Sequence, residues 1–276
     1  MKWAIIEIFS GALLFIISYF LAVYFMYSRF YTILLFGLFF ILKGAYSLKK
    51  KRELLTLREF LVLYFPFFVM LGIFFDLIIG LWITKLWYYP EYTLLNYINL
   101  YLVIYPLGAF VMLYSFALLE SIFIHRPRGN RLAYEHSLTL SLAIFVTGFI
   151  AFIISLIFLN RFNGFFAMTF LALSFIGLLD YLTLRIKKNN LLERLHIKTF
   201  KYILLILSIA YIQGIIHEWP NLFAREWIYK NWPLQEITFL GIPVVILFFG
   251  WIFLLIGSYT FFELIIAILR KRDPHR

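Results

Sequence analysis

Residues 1–52 read MKWAIIEIFSGALLFIISYFLAVYFMYSRFYTILLFGLFFILKGAYSLKKKR, and this stretch decides the fold. From Ala4 to Tyr27 the only charged residue is Glu7, and from Phe30 to Leu48 the only one is Lys43. Each run reaches the roughly 20 residues that carry a helix across about 30 Å of hydrocarbon at 1.5 Å per residue. Ser28-Arg29 separates the runs, and the block Lys49-Lys50-Lys51-Arg52 ends the second. The pattern is a hairpin of two crossing helices with its basic end on one side of the bilayer. The first run is too long for a signal-peptide core and lacks a small-residue cleavage pattern, so it reads as a retained helix.

The rest of the chain repeats this grammar. Of 276 residues, 64% are hydrophobic, and the mean hydropathy is +0.92, more apolar surface than a soluble domain can bury. Spans are expected at 4–27, 30–48, 60–84, 97–124, 137–159, 164–184, 200–218 and 238–268. The predicted class is therefore an all-α integral membrane protein with eight transmembrane helices. The apolar runs are continuous and do not alternate, which excludes a β-barrel. With no cysteine, thiolate chemistry, disulfides and Cys-based metal sites are excluded as well.

Twenty-five Lys and Arg stand against 14 Asp and Glu. The excess suits topology better than nucleic acid, and none is expected as a partner. One face collects Lys2, the 49–58 cluster, Arg126, Arg128, Arg131, six cations between Arg185 and Lys201 (Arg194 among them), and Arg270, Lys271, Arg272 and Arg276. These make nineteen, against five on the other face: Arg29, Lys85, Arg161, Arg225 and Lys230. Because the Lys/Arg bias of short loops sets orientation, both termini are expected in the cytoplasm of a multi-pass cell-membrane protein. Trp82, Trp87, Tyr88, Tyr89, Trp219, Trp227, Tyr229 and Trp232 gather around the two longer outer loops, where interfacial aromatics belong. The linkers 49–59 and 185–201 mix leucines with cations and read as short amphipathic helices on the anionic inner leaflet, or as solvated loops.

The chain also resembles itself. At a shift of 137, Gly11 falls on Gly148, Phe15-Ile16-Ile17-Ser18 on Phe152-Ile153-Ile154-Ser155, Leu54-Leu55 on Leu191-Leu192 and Pro106 on Pro243. Trp87-Tyr88-Tyr89 meets Trp227-Ile228-Tyr229 at 140, and Glu120 meets Glu263 at 143. This predicts a direct repeat of two four-helix halves, 1–136 and 137–276, within one membrane domain. Four spans per half give the halves the same orientation, related by an axis along the membrane normal.

Ionisable residues inside spans are costly and therefore candidates for function. Asp76, His217 and Glu218 lie toward the outer side, and Asp76 matches His217 or Glu218 at a shift of 141 or 142. Carboxyl and imidazole groups around one pocket can exchange protons, so these three are the candidate catalytic groups. The structural alternative is that His217 and Glu218 end a helix at the headgroups. Toward the inner side, Glu120 and Glu263 lie near basic clusters and read as ion pairs, and Lys43 and Asp180, equivalent at a shift of 137, are expected to pair across the axis. His217 and Glu218 lack the i, i+4 spacing of helical metal ligands, so no metal site is expected.

One unit comprises His217-Glu218, Trp227-Ile228-Tyr229, Gly241-Ile242-Pro243 and Trp251, echoed by Asp76, Trp87-Tyr88-Tyr89 and Tyr105-Pro106. It resembles the membrane lycopene cyclases and related carotenoid hydratases over about a fifth of the chain. That resemblance implies proton-initiated cyclisation or hydration of a long polyene without a redox cofactor. It implies Asp76 and Glu218 as proton donors and Trp87 and Trp227 as cation-stabilising faces. Trp87, Tyr89, Trp227 and Tyr229 are the candidate substrate-binding residues. The paired glutamates that follow the proline in that family are absent here: Pro106 precedes Leu107-Gly108 and Pro243 precedes Val244-Val245. Three functions remain open: binding or modifying a lipid-soluble isoprenoid or lipid, small-solute transport, or a non-catalytic structural role among membrane lipids. No cofactor is expected.

Overall fold

Helices α1 (Lys2–Phe25) and α2 (Phe30–Lys50) form the expected hairpin, and glycine sets how closely they approach. A Cβ at Gly11 would lie 2.6 Å from the Gly37 carbonyl oxygen, and one at Gly37 would lie 2.8 Å from the Phe15 amide nitrogen. In lipid, where tails are as apolar as leucine, such close backbone packing holds helices together. The computed structural model describes residues 2–124, 131–158, 163–187 and 190–271. Arg126, Arg128, Arg161, Lys188, Arg272 and Arg276, counted above for orientation, lie outside the described residues.

A second hairpin, α5 (Arg131–Ile157) with α6 (Asn163–Ile186), is built the same way: a Cβ at Gly177 would lie 2.7 Å from the Phe145 nitrogen. Between the hairpins run α3 over 57–83 and α4 (Leu94–Phe123). They are followed by the short α7 (Leu191–Ile197), then α8 (Thr199–Ala224) and α9 (Ile246–Lys271). Seven of these helices are long and apolar enough to cross a membrane, and the apolar stretch Val69–Ile83 within α3 is shorter. The chain is a polytopic, all-α membrane protein by that composition. Its outer surface agrees: Ile6, Phe9, Leu13 and Ile16 of α1 and Phe149 and Ile150 of α5 are exposed, a surface that suits lipid and not water.

The segment expected as the third span alternates helix types, with π-helical turns at Leu63–Phe68 and Ile73–Ile83. Shorter π segments occupy Leu100–Ile104 in α4 and Ile246–Gly250 in α9. Thr56 and Glu59 close a capping box at the start of α3, and Arg270 Nε donates to Glu59 at 3.1 Å, tying α9 to that end. At the opposite, aromatic end, strands β1 (Trp87–Tyr88) and β2 (Ile228–Tyr229) pair antiparallel, Trp87 with Tyr229 and Tyr88 with Ile228. Strands β3 (Thr238–Phe239) and β4 (Ile242–Pro243) make a small hairpin.

Three expectations change. The span placed at 238–268 begins at Ile246, because 238–243 is taken up by β3 and β4. The span placed at 200–218 continues to Ala224 and passes through Pro220, so His217 and Glu218 lie inside the helix and not at its end. Pro220 has no N–H to offer the Ile216 carbonyl, and the Tyr19 hydroxyl donates to that oxygen instead, at 2.7 Å. Finally, α7 turns a charged face inward, with Leu191, Glu193 and Arg194 buried, where the expectation put the cations of this linker outward.

Candidate functional site

Asp76 sits in the π segment Ile73–Ile83, 1% exposed, and its carboxylate is ringed by donors. Trp87 Nε1 (2.5 Å) and the Tyr89 hydroxyl (2.8 Å) donate to Oδ1, and the Tyr101 hydroxyl donates to Oδ2 at 2.8 Å. Trp87 reaches Asp76 because the chain turns into β1 directly after α3 and because Gly80 leaves room. A Cβ at Gly80 would lie 2.2 Å from the indole. Tyr97, Tyr101 and Tyr105, spaced four apart on α4, stack with centroids 6.3 and 5.9 Å apart, and the middle ring brings its phenol to the acid.

Glu218 on α8 has the same kind of surroundings. Tyr229 donates to Oε1 at 2.5 Å, Trp251 Nε1 to Oε1 at 3.2 Å and Trp227 Nε1 to Oε2 at 3.2 Å. The loop that delivers Trp227 is locked by Asn221, whose amide donates to the Trp227 carbonyl (3.0 Å) and accepts from its N–H (3.2 Å).

Both acids line one cavity of about 290 Å³, whose wall is otherwise mostly apolar and aromatic and includes Trp87, Tyr89, Tyr105, Trp227, Tyr229 and Trp251. His217 does not line it. The imidazole is fully buried behind Trp251, stacked on that indole at 4.6 Å and 6°, with Nε2 3.1 Å from the Gln213 carboxamide oxygen. The expected trio is thus a pair with a histidine in support. Consecutive residues of an α-helix point about 100° apart, so one face cannot present both His217 and Glu218.

At the rim is a third acid, Glu226, 1% exposed, in the loop after α8. It accepts from the Tyr92 hydroxyl at 2.7 Å and the Tyr31 amide at 3.2 Å, and burial pushes its carboxyl up to about 7 against these hydrogen bonds and Arg29. The Arg29 guanidinium lies 4.7 Å over the Tyr92 ring and donates to the Glu91 carbonyl. Tyr31 and Tyr92 also line the cavity, so Glu226 is one tyrosine removed from it.

At the other end, the Lys43–Asp180 pair is not formed. Lys43 binds Glu7, with Glu53 at 3.6 Å, while Asp180 accepts from Ser141 at 3.2 Å. Glu120 and Glu263 both meet Arg194, at 2.9 and 2.8 Å, and Lys187 lies 3.3 Å from Glu263. Among the described residues no three His, Asp or Glu side chains gather as metal ligands.

Sequence reasoning missed Tyr101, Glu226 and the buried role of Arg194. The four-residue spacing of Tyr97, Tyr101 and Tyr105 was a readable stripe. Glu226 was masked by its polar loop, and Arg194 by the cations around it. Compared with known protein families, curated proteins and solved structures, the chain matches none.

Proposed function

We propose that this protein crosses the membrane eight times as two like-oriented four-helix halves, and that it binds a lipid-soluble molecule between them and acts on it by acid–base chemistry through Asp76 and Glu218. The carrying observation is that these two carboxyls, 142 positions apart, face one cavity while each is held by indole N–H and phenol O–H groups.

Several independent placements support the repeat. Gly72 and Gly214 each precede an acid by four residues. Left-handed backbone recurs at Lys85 and Arg225 and again at Glu91 and Asn231, both at a shift of 140. In the β1–β2 ladder Tyr88 faces Ile228, its equivalent at that same shift. An antiparallel pair centred on equivalent residues is what a two-fold axis produces. Glu120 and Glu263 share Arg194. The continuous helical run over 57–83 supports the eighth crossing, and the Lys/Arg count supports cytoplasmic termini.

In this reading Asp76 and Glu218 give and take a proton, and Trp87, Tyr89, Trp227 and Tyr229 position the substrate. The polyene chemistry implied by the cyclase resemblance is one form of it. A second reading, a permease, draws on the π segments in three of the helices around the cavity, since π turns mark functional sites and loosen a helix. The test is mass spectrometry of lipid-soluble molecules that copurify with the protein. A molecule present with the wild type and lost with Asp76→Asn and Glu218→Gln is expected; identical spectra from wild type and the double variant overturn the proposal.

A further inference from the structure

We infer that the molecule taken by this cavity is a lipophilic organic cation, an amine or quaternary ammonium carried on an apolar body. The inference rests on the proposed binding role and adds the charge of the ligand. Its basis is charge balance. Two carboxyl groups, 1% and 2% exposed, face a mostly apolar space with no Lys, Arg or His on its wall among the described residues. The described cations nearby are engaged elsewhere: Arg29 over Tyr92 and at the Glu91 carbonyl, Lys230 4.1 Å over the outer ring of Tyr88. His217 is screened from the space by Trp251. Burying two acids in a membrane without a counter-charge is expensive, so either protons or a cation must balance them.

The hydrogen bonds choose the cation. An indole N–H only donates, and three indoles are aimed at these oxygens, Trp87 at Asp76 and Trp227 and Trp251 at Glu218. They give nothing to a carboxylic O–H and so weigh toward the carboxylate, while the phenols of Tyr89, Tyr101 and Tyr229 suit either form. The wall chooses an organic cation over a metal ion. Hard cations need six or more oxygens, whereas this wall offers two acids that each already accept three hydrogen bonds. A weakly hydrated ammonium gains instead from indole and phenol rings, nine of which line the space, together with two negative charges.

The test compares benzyltrimethylammonium with its uncharged carbon isostere, neopentylbenzene, by quenching of tryptophan fluorescence in purified protein in a nonionic detergent. The cation is expected to bind at least about tenfold more tightly than the isostere. Asp76→Asn and Glu218→Gln should each reduce cation affinity by about the same factor and leave isostere affinity unchanged. Equal affinity for both probes in the wild type, which needs no variant to fold, overturns the inference and leaves the lipid-soluble site standing. Failure of both probes to bind overturns the inference and the binding role together.

Discussion

Replacing Arg194 by methionine tests whether the ion cluster at the end opposite the site is a structural keystone. The side chain is 1% exposed: Nε donates to the Asn190 carbonyl at 3.0 Å, Nη1 to Glu120 at 2.9 Å and to the Tyr259 oxygen at 3.1 Å, and Nη2 lies 2.8 Å from Glu263 as an ion pair. The rings of Tyr259 and Tyr202 lie 5.4 and 5.9 Å from the guanidinium carbon. Arg194→Met keeps most of the volume and removes the cation shared by two acids that are 2% and 4% exposed. Removing one partner of such a buried set costs about 3–5 kcal/mol, because the charges left behind stay out of water. At roughly 2–4 °C per kcal/mol for a chain of this size, Tm should fall by roughly 6–20 °C.

The assay is thermal unfolding in detergent, with Arg185→Met and Lys201→Met as controls because both side chains are exposed. These controls remove the same charge from the same linker and should change stability by no more than about 0.5 kcal/mol. Adding Glu120→Gln and Glu263→Gln to Arg194→Met should recover much of the loss, since neutralising a whole set avoids the stranded charges. An Arg194→Met protein that unfolds with the Lys201→Met protein refutes the reasoning and returns Arg194 to the role of a topogenic cation.

Glu226 gives a pH prediction at the aromatic end. Its carboxyl is raised by burial from an ordinary 4.5 to about 7, so between those values the folded chain holds a proton that the unfolded chain has lost. Stability is therefore full below about pH 4.5 and falls as pH rises to about 7, by about 3 kcal/mol if nothing relaxes. Glu226→Gln should flatten that part of the Tm-against-pH curve, and coincident curves for the two proteins would sink the assignment. Gly80→Ala places a methyl 2.2 Å from the Trp87 ring and must move the indole off Asp76. A loss of about 1–3 kcal/mol with a shift in tryptophan emission is expected, and unchanged emission and Tm would show that Trp87 does not lie there.

The helices, and the fact that they bury the acids Asp76 and Glu218, were legible because the bilayer acts on every residue alone. An apolar run must form a helix, and an acid within it must be accounted for. What failed depended on phase and distance. His217 and Glu218 are neighbours in sequence but not on the helix surface, and only the glycine four residues earlier, Gly214 to Glu218 as Gly72 to Asp76, carries the phase that selects the glutamate. Arg194 sits among solvated cations in the sequence, and its burial follows from its side chain reaching Glu120 of α4 and Glu263 of α9, a tertiary event no local pattern encodes. Lys43 and Asp180 expose a different error, which equated equivalence under a repeat with proximity. Under the proposed repeat, a two-fold axis would bring equivalent residues together only where they lie on it, as the pairing of Tyr88 with Ile228 at the aromatic end fits. Lys43 belongs to the hairpin of α1 and α2, and Asp180 to that of α5 and α6. Each therefore finds its partner locally, Glu7 across its own hairpin for the lysine and Ser141 across its own for the aspartate. Under the proposed repeat, the residues that merge into one site are those in the connections that pair at the β1–β2 ladder, and these carry Trp87, Tyr89, Trp227 and Tyr229.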